Sequence, residues 1–154
     1  MSADVRRIRP DERADGPATA GMIREEAVAT EAMWAGFVRT GPGIVSGWHH
    51  HGDFESVIYV TSGALRMEYG PGGTETLEAQ PGDFLYIAPG AVHRESNPTE
   101  QESHIIVVRS GSGDAVINVD GPAATDSGAP GLNRSVVPKR VITFSVVRVL
   151  RPRS

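Results

Sequence analysis

Residues 43–63 read Gly-Ile-Val-Ser-Gly-Trp-His-His-His-Gly-Asp-Phe-Glu-Ser-Val-Ile-Tyr-Val-Thr-Ser-Gly. Two apolar runs, 44–51 and 56–61, flank the turn signal Gly52-Asp53, and the stretch is closed off by Gly41-Pro42-Gly43 before it and Ser62-Gly63 after it. Short β-branched runs bounded by Gly and Pro read as strands. Side chains alternate across a strand, so His49 and His51 share one face and His50 takes the other. Two imidazoles at i and i+2 can reach one metal ion. Counting back from Gly63, the inward face of 56–61 would be Ser56, Ile58 and Val60, which aims Glu55 outward unless a bulge at 52–54 shifts the register.

The same pattern extends in both directions. Runs at 33–40, 64–69, 74–78, 83–87, 92–95, 103–109 and 115–119 are separated by turn signals such as Gly70-Pro71-Gly72-Gly73, Gln80-Pro81-Gly82 and Ala88-Pro89-Gly90. Residues 23–30 suit a short helix or a strand. No segment carries a long helical period, which disfavours parallel βαβ architecture and leaves an all-β sandwich or barrel. Eighteen glycines and eleven prolines in 154 residues fit a turn-rich β domain, and that length accommodates one core. We expect an N-terminal arm over 1–22, lying on the surface or pairing with a partner, and a barrel over 23–122. A Gly/Pro/Ala-rich linker and flexible basic tail would follow over 123–154.

Composition excludes several classes. With no cysteine, disulfides, thiolate nucleophiles and Cys-ligated zinc are ruled out, so any metal must be held by His, Asp or Glu. All nineteen acidic residues precede residue 134, whereas Arg134, Lys139, Arg140, Arg148, Arg151 and Arg153 crowd the last 21 positions. An acidic body is a poor nucleic-acid binder, and no helix-turn-helix is visible. The charged start of the chain lacks the apolar run of a signal peptide, and no stretch suits a membrane span, so the expected location is cytoplasmic.

His93, just after Ala88-Pro89-Gly90, is a candidate third nitrogen, because a barrel can lay its strand beside the first. A solvent-facing cluster that binds metal only adventitiously is the plain alternative. The spacing Gly43-x5-His49-His50-His51-x3-Glu55-x7-Gly63, followed by Gly82-Asp83, Gly90, His93 and Asn97, resembles the two motifs of the cupin family. Ala88 stands where the family's proline is expected, with Pro89 one step later, and Ser56 lies at the family's usual Glu-to-Gly distance from Gly63. The resemblance implies a double-stranded β-helix, or jelly-roll, barrel. It further implies a divalent metal (Zn, Fe, Mn or Ni) held by His49, His51 and His93, with Glu55 as a candidate fourth ligand. Gly63, Gly82 and Gly90 would be turn residues and Asn97 a structural cap.

The function expected from this reading is a metal-binding cupin, leaning to an enzyme, that acts on or binds a small organic molecule. The alternative is a small-ligand binding or sensing module in which the metal is optional. A homodimer is expected because a lone barrel leaves sheet edges that the arm could cover in trans. Tyr59, Tyr86, Arg39, Arg66 and Arg94 are candidates to polarise a substrate oxygen. His104 reads as an ordinary strand histidine.

Overall fold

The computed structural model describes residues 5–16, 20–111 and 116–124. The expected basic tail lies outside the described residues beyond 124. Within them the alternating runs form β1 (Ala14–Asp15), β2 (Met22–Ala29), β3 (Met33–Thr40), β4 (His49–His50), β5 (Glu55–Ser62) and β6 (Leu65–Tyr69), followed by β7 (Glu75–Ala79), β8 (Phe84–Ile87), β9 (His93–Ser96), β10 (Ser103–Ser110) and β11 (Ile117–Asn118). All pairings are antiparallel and build two sheets, β1-β2-β3-β10-β5-β8 and β11-β4-β9-β6-β7. This is the all-β, double-stranded architecture expected from the sequence. No helix among the described residues is long and apolar enough to cross a membrane.

The period-2 alternation sets which side chains face inward. Ser56, Ile58 and Val60 of β5 are buried while Glu55 and Val57 are exposed, and on β10 the buried set is Ser103, Ile105, Val107 and Arg109. Ile58, Val60, Leu65, Met67, Ile105 and Val107 meet between the sheets, each contributing about 1.5–3 kcal/mol by leaving water. Gly36 sits where a Cβ would lie 2.2 Å from the Trp34 ring, so a larger residue would displace the indole from its place against the core. Gly63 turns between β5 and β6 at φ 73°, with the Ser103 backbone too close for a side chain.

One local expectation changes. The run 44–51 pairs as a ladder only at His49–His50, with one isolated bridge from Val45 to Ser96. Before that ladder, Ser46 substitutes for regular pairing: its N–H donates to the Glu95 carbonyl (2.8 Å) and its Oγ accepts from the Glu95 N–H (2.9 Å). Within the expected arm, Ala14 and Asp15 pair with Glu26 and Glu25 of β2, laying this part of it along the sheet edge. Asn97, 1% exposed, closes the turn before β10 by donating to the carbonyls of Thr40, Gly41 and Gln101 and accepting from Thr99.

Candidate metal centre

The shortest ladder in the barrel places the functional side chains. β4 pairs with β9 directly through His49 and His93, and His51 lies two residues beyond His49 on the same side. His93 and Glu95 are likewise i and i+2 on β9, so both face inward. One ligand atom from each of His49, His51, His93 and Glu95 lies within 4.8 Å of the others, and all four residues are buried. The three imidazole centroids stand 4.5 to 5.0 Å apart.

Backbone carbonyls fix two of the rings. Nδ1 of His49 donates to the Gly47 carbonyl (2.9 Å) and Nδ1 of His93 to the Ala91 carbonyl (2.8 Å). With a proton on Nδ1, each ring in its neutral tautomer would present its Nε2 lone pair to the cluster, the form a metal needs. Burial lowers the His49 pKa against the opposing pull of Glu95, which favours that neutral form. Burial alone would raise the Glu95 carboxyl, but the positive charge that His93 and His49 carry when protonated, together with Arg24, outweighs it and holds the group well below the usual carboxylate range. Its Oε1 stands 3.8 Å from His93 Nε2, too far for a hydrogen bond, and that nitrogen is buried without a hydrogen-bond partner among the described residues. Three imidazoles and one carboxylate, converging around a nitrogen that lacks a protein partner, fit a divalent metal ion such as Zn, Fe, Mn or Ni.

Glu55 is not part of this cluster. It begins β5 on the outer face, exposed, and its Oε1 accepts a hydrogen bond from the Tyr86 hydroxyl (2.7 Å). The expectation of Glu55 as fourth ligand is therefore corrected: no bulge reverses the parity, and Ser56 takes the inward position. The carboxylate that joins the histidines is Glu95, which the sequence reading missed. The parity argument that paired His49 with His51 would have found it if extended from His93 along its own strand.

The remaining candidates face outward. His50 sits across β4 from the cluster, its Nδ1 accepting from the Gly52 N–H, and His104 pairs with Glu102 on the outer face of β10. Arg66 binds Glu78, Arg94 binds Glu68, Arg39 lies beside Glu25, and Tyr59 packs on Phe84. A cavity of about 570 Å³ opens between β6–β7 and β8, with Met67, Tyr69, Leu77, Leu85 and Ile87 among its walls. His93 also lines it, so this space adjoins the histidine cluster and has the size of a small-molecule pocket.

Comparison with known proteins agrees with this architecture. Residues 36–109 match the family model of the cupin domain. No curated protein sequence matches the chain. Among solved structures, KdgF from a Halomonas species superposes with a TM-score of 0.62 at 23% identity, covering 72% of this chain and 97% of its own. The polyketide cyclase RemF from Streptomyces resistomycificus gives 0.63 at 19% identity, with 75% and 86% covered. Oxalate decarboxylase from Bacillus subtilis gives 0.58 at 19% identity, with 66% of this chain and 28% of that chain covered. These identities speak to the fold alone. Matched over both motif regions and sharing the barrel of these structures, the chain carries a small cupin domain.

Proposed function

We propose that this cupin domain is a metal-dependent enzyme for a small organic molecule, with a divalent ion held by His49, His51, His93 and Glu95. The observation that carries the reading is the buried Nε2 of His93, which has no hydrogen-bond partner among the described residues and faces two further imidazoles and a carboxylate. Mn(II) centres are described for oxalate decarboxylase from Bacillus subtilis, a structural neighbour, which supports a divalent ion in this class of site.

A bound ion would supply Lewis acidity toward an oxygen of the ligand or a bound water. The chain supplies the rest. His49 and His93 are held in one tautomer by Gly47 and Ala91, and Glu95 stays ionised to offset the ion's charge. Ser46 locks the backbone of Glu95 to the loop that carries His49. The cavity walls are mostly apolar, and His93 joins that lining to the cluster.

The test is elemental analysis of untagged protein prepared without a nickel column. About one equivalent of divalent metal that survives dialysis, and is lost in a His49→Ala, His51→Ala double variant, supports the reading. Native protein without metal that still binds a small ligand would replace it with the sensing module.

A further inference from the structure

Four buried side-chain polar atoms have no hydrogen-bond partner among the described residues: Arg39 Nε, Ser56 Oγ, His93 Nε2 and Arg109 Nε. Arg39 lies beside Glu25 on the outer face, and the metal reading accounts for His93. The other two are neighbours. Arg109 of β10 is the register partner of Ser56 on β5, and both point inward. Inward-facing partners on adjacent strands bring their Cβ atoms to about 4.5–5.5 Å.

Arg109 is 6% exposed, and its guanidinium lies 5.3 Å from the centroid of the Trp34 ring, with no carboxylate or carbonyl bonded to it among the described residues. Burying a cation without an anionic partner is costly, so such a group calls for an explanation. Burial lowers the Arg109 pKa, while the charge of Glu95 raises it and that of Arg24 lowers it further. Ser56 continues the row to Ile87 of β8, a wall residue of the cavity. The row Ile87, Ser56, Arg109 therefore crosses the inner face of one sheet, from a cavity wall on the edge strand β8 toward the middle of the sheet.

We propose that Arg109 and Ser56 form an anion subsite inside the barrel that takes the carboxylate of a small organic acid. The guanidinium offers a planar fork of donors matched to a carboxylate, and the Ser56 hydroxyl adds one more. The inference deepens the proposed function: it rests on that reading only in that the far end of the same acid would face the metal ligands.

The test is a titration of full-length, chelator-stripped protein with malonate, and in parallel with its neutral analogue malonamide. Calorimetry reads binding, and in a Trp48→Phe background Trp34 becomes the sole tryptophan and reports displacement of the guanidinium stacked on it. The expected result is saturable malonate binding, none for the diamide, and affinity weakened about tenfold or more in Arg109→Gln. Ser56→Ala should weaken it by a smaller factor, and Arg109→Lys should keep part of it. If Arg109→Gln fails to fold, the malonate–malonamide pair in the wild-type chain and Ser56→Ala carry the test. No saturable malonate response, equal affinity in wild type and both variants, or an equal response to the diamide overturns the subsite. Because the stripped protein reads the subsite without metal, malonate binding in a chain that takes up no metal would sink the metal reading and leave this one standing.

Discussion

The segments that follow His51 and His93 each carry a glutamate, and the barrel turns the two in opposite directions. After His51 the chain passes through Gly52 and Asp53 before β5 begins, so Glu55 starts the new strand on its outer face and bonds Tyr86. After His93 the chain stays in one strand, and Glu95 arrives two residues later on the same inner face as the histidine. Both separations are even, from His51 to Glu55 and from His93 to Glu95, so parity counted along an unbroken strand would turn both glutamates inward. What decides between ligand and surface residue is whether a turn intervenes, because only an unbroken strand preserves parity.

The comparison can be broken at several points. The largest effect is expected for His93→Ala, which removes the residue shared by the cluster and the cavity. Its metal affinity, read by competition with a chromophoric chelator, should fall by more than the roughly 10–100-fold that loss of an outer hydrogen-bond partner costs. A smaller loss would place the metal away from this nitrogen. Next come the two faces of β5. Ile58→Ala should destabilise the fold by about 2–5 kcal/mol in denaturant unfolding, while Val57→Ala on the exposed face should stay within about 0.5 kcal/mol. Equal costs would show that inner and outer faces are misassigned.

The smallest effect sharpens the position of Glu55. Its carboxylate accepts a hydrogen bond from the Tyr86 hydroxyl, so ionising that phenol would set two anions side by side, and this bond raises the Tyr86 pKa. In Glu55→Gln the charge is gone, and one tyrosinate transition in the near-ultraviolet absorbance titration should move down toward the ordinary value. An unchanged titration would mean that Glu55 does not contact Tyr86.

Much of the barrel was legible because its strands obey a period of two and its turns carry Gly and Pro. β3 matches the expected run 33–40 residue for residue, and β5 to β10 differ from the expected runs by a residue or so at their ends. Residues 44–48 were not legible as irregular chain: their β-branched start looks like a strand, and only the Ser46 side chain, bonding the Glu95 backbone, shows how regular pairing is replaced. The three histidines of the cluster could be read from spacing and resemblance. Glu95 was hidden by attention to the motif's own glutamate. Arg109 could not be found from spacing, since a basic residue at a strand end looks like solvent-facing charge until the register sets it beside Ser56 and Trp34.

The claim at the centre of this account is that Glu95, and not Glu55, completes the histidine cluster. Metal affinity measured side by side for the wild-type chain, Glu95→Gln and Glu55→Gln tests it most directly. The account predicts that Glu95→Gln weakens binding by about tenfold or more while Glu55→Gln is indistinguishable from wild type. Loss of affinity in Glu55→Gln with Glu95→Gln unaffected would contradict it.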